Sequence, residues 1–197
     1  MGRSGDACRR EGWSDGEVHH RTPPPPEQAA PHRAEPDARF TDELASVLSA
    51  ARRRALRDGD RQIDTAHLLH SLIETDPEVR EAFDGGPRLA KVLGYLVQRS
   101  IGYGLRWQGS VEESGAVPVV GDPAADGWSP SALAAMEDTL SRAASRGEGR
   151  ATGLDLLAAL ASDAASRAVE VLGGAGVEAA WLTERVAAIT AEGARPV

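Results

Sequence analysis

From residue 40 onward, apolar residues recur with the 3.6-residue period of an amphipathic α-helix. Thr41 is a favoured N-cap residue and Gly59 a favoured stop, so the pattern predicts a first helix between them. The apolar face of this helix consists of Leu44, Val47, Leu48, Ala51 and Ala55. No segment has the regular alternation of a strand, so the pattern predicts an all-α protein.

Three more helices are predicted to follow. Asp64 or Thr65 can cap the second helix. Pro77 can open a short third helix and Pro87 a fourth, because proline suits the first helical turn. The buried face predicted for the fourth helix comprises Leu89, Val92, Leu93, Leu96, Val97 and Ile101. Residues 39–103 are therefore predicted to form a four-helix unit.

The second half of the chain repeats this pattern at an offset of 88 residues, the separation of Phe40 and Trp128. In the matching helix, Ser129 would be the N-cap and Pro130 the first residue. The same offset pairs Ala55 with Ala143, Gly59 with Gly147, Leu68 and Leu69 with Leu156 and Leu157, and Leu72 with Leu160. The pattern therefore predicts a second four-helix repeat over residues 128–192, related to the first by a pseudo-twofold axis.

Two segments outside the repeats differ in composition. Residues 1–38 are rich in proline, arginine, glycine and acidic residues and have no apolar periodicity, so they are predicted to form a disordered tail. Residues 104–127 are rich in glycine, proline and acidic residues and are predicted to form a flexible linker between the repeats.

The charge balance excludes some classes of partner. A formal net charge of −8 and a pI near 5.2 argue against a nucleic acid or an anionic membrane surface, which bind through clustered lysine and arginine. No apolar run reaches the roughly 18 residues of a membrane span or forms a signal peptide. The single cysteine, Cys8, cannot form an internal disulfide. We therefore expect a cytoplasmic protein.

Two histidines three residues apart, His67 and His70, lie beside Asp64 and raise the question of a metal or catalytic site. Such a pair can hold a metal, but the second repeat has Asp155 and Ala158 at the matching positions, and no third ligand with helical spacing is evident. No G-x-S-x-G elbow or other nucleophile setting occurs. The sequence predicts no catalytic residue, no metal and no cofactor.

These motifs resemble the amino-terminal repeat domain of Clp chaperones of the ClpA and ClpC type. The repeat of that family opens with Phe-Thr-(Asp/Glu/Pro) and later carries Ile-Gly-Thr-Glu-His-Leu-Leu. The first copy here has FTD at 40–42 and IDTAHLL at 63–69, and the second has WSP at 128–130 and ATGLDLL at 151–157. The resemblance covers about residues 39 to 190. It implies a structural role for a motif made of His67, Leu68, Leu69, Leu156 and Leu157.

The resemblance implies a non-catalytic protein- or peptide-binding module that acts as an adaptor or substrate-binding accessory of Clp-dependent proteolysis. Its partner would be a Clp ATPase, the adaptors or substrates of that ATPase, or a peptide ligand. The unfoldases continue into ATPase modules with a G-x-x-x-x-G-K-[ST] loop, which this chain lacks, so we expect a freestanding domain without ATP binding. One alternative is a decoy that sequesters ligands or toxic peptides aimed at the chaperone. A remote alternative is a helical transcriptional regulator or an enzyme with an unrecognised site.

The resemblance also implies candidate binding residues for phosphate. In some members, each repeat recognises phosphorylated arginine through the opening threonine and the glutamate before the histidine. Thr41 and Ser129 retain the hydroxyl, but the glutamate positions carry Ala66 and Leu154. Because the guanidinium then has no charge partner, we expect phosphoarginine binding to be weak or lost. Thr41 and Ser129 would then act as plain N-caps.

A second family surface lies near the opening aromatics, in the groove between the repeats. Phe40 and Trp128 match it, and Tyr103, Trp107 and Trp181 are candidate additional anchors. Glycines flank Tyr103 and Trp107 at the end of the fourth helix, so this segment is the preferred place for an exposed contact. The alternative is that Phe40 and Trp128 pack against their own helices and that Trp181 belongs to the core.

Overall fold

The computed structural model describes residues 38–99, 111–112 and 127–193. The predicted tail up to residue 37, most of the predicted linker, and Tyr103 and Trp107 lie outside the described residues. The described part of the chain contains eight helices: α1 (Asp42–Asp58), α2 (Thr65–Thr75), α3 (Pro77–Ala82), α4 (Gly86–Gln98), α5 (Pro130–Ser145), α6 (Gly153–Ser162), α7 (Arg167–Gly174) and α8 (Ala179–Gly193). The all-α prediction is confirmed.

Most helices begin where the sequence predicts, and α4 begins one residue earlier, at Gly86 rather than Pro87. The Thr41 hydroxyl accepts a hydrogen bond from the backbone N–H of Leu44 at 3.2 Å, which caps α1. Gly59 ends α1 in the left-handed conformation, with φ of 75°, which favours glycine. The cap of α2 is Asp64 rather than Thr65. Ser129 caps α5 and Pro130 is its first residue, as predicted.

The core is built around α2 and α6, the two helices that carry the predicted Leu-Leu pairs. Helix α2 packs against α1, and α6 packs against α5 and α8. Six leucines of these two helices are fully buried at 0% exposure, namely Leu68, Leu69, Leu72, Leu156, Leu157 and Leu160. Because both helices are buried around most of their circumference, they form the centre of the described body.

The prediction for the buried face of α4 was too wide. Val92 and Leu96 are buried, but Val97 is 49% exposed, and Leu89 and Leu93 are only half-buried. Helix α4 makes its main packing contacts with α7 and α2, so a single stripe at i and i+4 is sufficient to cover its contact face. Ile101 lies outside the described residues.

Two short backbone bridges join the halves of the chain reciprocally. Phe40, before α1, pairs in parallel with Ala151, before α6, and Ile63, before α2, pairs in parallel with Trp128, before α5. The hydrogen bonds are of normal length, with Ala151 N donating to Arg39 O at 2.8 Å and Ile63 N donating to Gly127 O at 2.7 Å. Both bridges relate positions that the 88-residue offset exchanges, which is the arrangement that a pseudo-twofold axis requires.

Gly153, the first residue of α6, leaves space for the carboxylate of Asp76. A Cβ at Gly153 would lie 2.0 Å from Asp76 Oδ2, and Asp76 cannot withdraw easily because its Oδ1 accepts from the N–H of Glu78 at 2.9 Å to cap α3. We expect Gly153→Ala to lower the free energy of unfolding by about 1–3 kcal/mol, the usual cost of overpacking. Urea denaturation measures this difference.

Gly94→Ala is the matched control for this variant. Gly94 lies inside α4, and a Cβ there would have no atom within 4 Å. Because alanine is the better helix former, we expect this variant to gain up to about 1 kcal/mol. Equal effects of the two substitutions would contradict the steric role of Gly153.

Candidate binding site

Donors from both halves of the chain surround the carboxylate of Glu112, which is 5% exposed. Thr65 and Arg167, the first residues of α2 and α7, donate their backbone N–H groups to it at 2.9 and 2.6 Å. The Ser129 hydroxyl donates to it at 2.9 Å, and the Thr65 hydroxyl donates to it as well. The carboxylate is therefore held by four donors, in an environment that favours an anion.

A pocket of about 520 Å³ adjoins this carboxylate. The loop between α1 and α2 contributes Asp60 and Arg61 to the lining, and α7 contributes Arg167. Val111, which is 53% exposed, and Glu112 form part of the lining. The pocket thus lies where the two halves meet and offers charges of both signs.

Asp64 connects this pocket to the N-terminus of α2. Its carboxylate binds the guanidinium of Arg167, with 2.6 Å between Nη1 and Oδ2, and that of Arg99. Burial by itself would raise the pKa of Asp64, but the hydrogen bond from His67 and the two guanidinium groups outweigh it and hold that pKa well below its usual range. Asp64 is therefore an ionised carboxylate inside the protein.

His67 is fully buried and completes a capping box with Asp64. Its backbone N–H donates to Asp64 Oδ1 at 2.9 Å, and its Nδ1 lies 3.1 Å from the backbone N of Asp64. In the second half, Asp155 makes the same box with Thr152, its Oδ2 accepting from Thr152 N at 2.9 Å. His67 and Asp155, at matching positions of the two repeats, therefore both complete a capping box.

A group of possible metal ligands surrounds His67. Ligand atoms of Asp60, Asp64 and His67 lie within 4.8 Å of one another. Arginine already neutralises the two carboxylates, since Arg99 binds Asp64 and lies 3.3 Å from Asp60. Guanidinium charge at this distance opposes a second cation, so the geometry favours an ion-pair network over a metal centre.

His70 is directed to a different environment, against Glu74, with 3.3 Å between Nε2 and Oε1. Burial, together with the charge of Arg54, lowers the pKa of His70 to about 4. As the pH falls from about 6.5 to about 4, His70 becomes protonated in the unfolded chain before it does in the folded one. Protonation therefore favours the unfolded state and lowers the free energy of unfolding.

We expect the stability of His70→Gln to be less sensitive to pH than that of the parent in this window, measured as the free energy of unfolding at several pH values. Equal pH slopes would contradict this assignment.

Both candidate phosphate-side hydroxyls act as helix caps. Thr41 caps α1 and is partly buried, and Ser129 is fully buried, with its Oγ accepting from Ala132 N at 3.1 Å. The positions of the absent glutamates are buried and apolar, with Ala66 at 0% and Leu154 at 7% exposure. Only Ser129 of the two hydroxyls contacts the carboxylate of Glu112.

The candidate aromatics differ in exposure. Phe40 is 8% exposed and belongs to the core, so it offers little area to a partner in this conformation. Trp128 is partly buried and packs against the core. Trp181 also packs partly against the core, and the guanidinium of Arg88 lies 4.6 Å above its ring centroid. Trp128 is therefore the more accessible of the two opening aromatics.

The fold has clear counterparts among solved structures. The N-terminal domain of the Clp-protease-associated chaperone ClpD from Arabidopsis thaliana superposes with a TM-score of 0.57 at 17% identity, over 78% of this chain and 95% of that one. The Hsp104 N-terminal domain from Candida albicans gives 0.57 at 12%, over 79% and 93%. The chain has the fold of a Clp N-terminal domain.

A third solved structure with this Clp N-terminal fold gives a similar TM-score and coverage. A structure from a malarial protein secretion system gives a TM-score of 0.54 at 14% identity, over 79% of this chain and 94% of that one. No protein-family model matches the chain, and no curated protein matches it significantly. At these identities the likeness establishes the fold alone.

Glu112 was missed in the sequence analysis of this Clp N-terminal fold. It lies within the predicted linker, where acidic residues are common and nothing marks one of them as buried. Its partners Thr65 and Arg167 are 47 and 55 residues away along the chain. One usable signal was present, since Thr65 and Arg167 begin helices and helix N-termini attract carboxylates.

The described helices also bear on the membrane prediction. None of the eight is long and apolar enough to cross a membrane.

We predict that a phosphoarginine peptide will not bind tightly to this Clp N-terminal fold. Ala66 and Leu154 offer no carboxylate to the guanidinium of phosphoarginine. Isothermal titration calorimetry with such a peptide, and with the unphosphorylated peptide as control, is expected to show no stoichiometric binding. Tight binding that requires the phosphoryl group would contradict the prediction.

Proposed function

We propose that this protein is a non-catalytic protein- or peptide-binding module that serves as an adaptor or substrate-binding accessory of Clp-dependent proteolysis. The observation that carries the proposal is the near-complete coverage of the ClpD and Hsp104 N-terminal domains by this fold. Coverage of 95% and 93% of those domains means that both halves of their fold have counterparts here, and we place the binding function at the surface between the halves.

The pocket at the meeting of the two halves supports a polypeptide ligand. Val111 and Glu112 form part of its lining, and Arg61 adds an exposed cation. The lining carries charges of both signs, which suit the polar groups of a peptide.

A non-catalytic role is supported by the use made of the polar groups. The histidine and aspartate that could form a catalytic pair, His67 and Asp64, are engaged in a capping box and in ion pairs with arginine. A general base has to reach a substrate proton, and His67 is fully buried. The arrangement therefore stabilises α2 and leaves recognition to the pocket.

The decoy role uses the same pocket and differs in its partner. A decoy would retain small peptides without contacting a chaperone, whereas an adaptor would contact a Clp ATPase. The remote alternative, a transcriptional regulator, is disfavoured by the net charge of −8.

The proposal is tested by affinity purification from a lysate of the source cells with the purified chain as bait. Arg61→Ala alters the pocket, and Arg53→Ala, on the exposed side of α1, is the matched control. We expect mass spectrometry to identify a Clp ATPase or its substrates with the parent and with Arg53→Ala, and less of them with Arg61→Ala. Peptides retained without any chaperone would favour the decoy, and capture that is equal in all three baits would place the contact elsewhere.

A further inference from the structure

Further contacts within the protein orient the donors around Glu112. The Ser129 oxygen accepts the N–H of Ala132 at 3.1 Å, and the Thr65 oxygen accepts the N–H of Ala168 at 3.0 Å. Because each hydroxyl oxygen is held by a backbone donor, its hydrogen is left to point at the carboxylate. The backbone N–H groups of Thr65 and Arg167 are fixed by their helices. These residues form a preorganised receptor for an oxyanion.

This donor set is not a requirement of the fold. At the pseudo-twofold-related position, Gly153 replaces Thr65 and has no hydroxyl, and the short helix α3 begins with Pro77, which has no N–H to match that of Arg167. There Asp76, the N-cap residue of α3, lies against Gly153. The pseudo-twofold-related site thus forms without the counterparts of the Thr65 hydroxyl and the Arg167 N–H.

Glu112 itself does not belong to any helix. It follows the exposed Val111 and inserts its side chain between helices α2, α5 and α7 from a segment outside them. A carboxylate delivered in this way is a tethered ligand, and a tethered ligand competes with an external one because it belongs to the same molecule.

We propose that Thr65, Ser129 and Arg167 form an oxyanion-binding site that the chain's own Glu112 occupies, and that a carboxylate or phosphate group of an external ligand binds there by displacing Glu112. The adjoining pocket of about 520 Å³ then holds the remainder of the ligand. Anion binding at this site requires no particular protein partner, so this proposal can fail or succeed separately from the proposed contact with a Clp ATPase.

The test removes the internal occupant and supplies a simple anion. Inorganic phosphate, and sodium acetate in a parallel series, are titrated at constant ionic strength into the parent protein, Glu112→Ala and Glu112→Gln. The amide signals of Thr65 and Arg167 in ¹H–¹⁵N spectra report on the site. Glu137→Ala, an exposed position on α5, is the charge-matched control. The two series show whether the site prefers phosphate or carboxylate.

We expect both Glu112 variants to bind at least one of the two anions about tenfold more tightly than the parent or Glu137→Ala, because internal competition is lost. The double variant Glu112→Ala, Thr65→Val should lose the gain, since valine keeps the shape and lacks the hydroxyl. Glu112→Gln retains the side-chain volume if Glu112→Ala folds poorly. No gain in either folded variant, or a gain that persists in the double variant, would overturn the proposal.

Discussion

Replacing Leu69 or Leu157 by alanine is expected to lower the free energy of unfolding by about 2–5 kcal/mol. Both side chains are at 0% exposure at the centre of α2 and α6. Truncation removes buried apolar surface and leaves a cavity that packed neighbours on both sides cannot fill completely. Because Leu69 and Leu157 occupy matching positions in the two halves of the fold, the two variants should lose similar free energies of unfolding in guanidinium or urea denaturation.

Leu56→Ala supplies the control for these two variants. Leu56 lies on α1 at 74% exposure, so its truncation should change stability by no more than about 0.5 kcal/mol. A loss below about 1 kcal/mol in both core variants would mean that the centre of the core lies elsewhere. A large loss in only one of the two variants would mean that α2 and α6 do not contribute equally to the core.

The helical framework was accessible to sequence reasoning because its signals are local. Thr41, Asp64 and Ser129 each cap a helix within three residues of themselves, and Gly59 ends one through its own backbone conformation. Such contacts depend on neighbours in the chain, which a sequence displays directly. The 88-residue register added long-range information, because it relates positions that the two reciprocal bridges later join.

The site was less accessible because its contacts depend on tertiary approach. Phe40 is buried since its segment pairs with Ala151, more than a hundred residues away, and nothing near Phe40 reports this. Glu112 becomes a buried ligand only when the ends of α2 and α7 meet. The exposure of Val97 follows from the one-sided packing of α4. Patterns describe which face is apolar, whereas the neighbouring helices decide how much of it is covered.

The largest electrostatic effect is expected from Asp64→Asn. Asparagine is a good N-cap, so the variant keeps an oxygen for the N–H of His67 and removes only the charge. Arg99 and Arg167, whose side chains are 10% and 11% exposed, then lose this carboxylate inside the protein. Breaking a buried ion pair from one side typically costs about 3–5 kcal/mol, and we expect a loss of about 3 kcal/mol at pH 7 because Asp60 still lies near Arg99.

The pH dependence of this loss separates the charge of Asp64 from its role as a cap. The folded pKa of Asp64 is depressed, so its charge stabilises the fold above the ordinary carboxyl pKa of about 4, and this contribution decays as the pH falls further. The difference between the parent and Asp64→Asn should therefore shrink below about pH 4 in denaturant melts. Asp42→Asn, an exposed first-turn residue of α1, should change stability by less than about 1 kcal/mol throughout. A difference that stays constant from pH 7 to about pH 3 would assign the loss to capping geometry, because an uncharged hydrogen bond does not titrate.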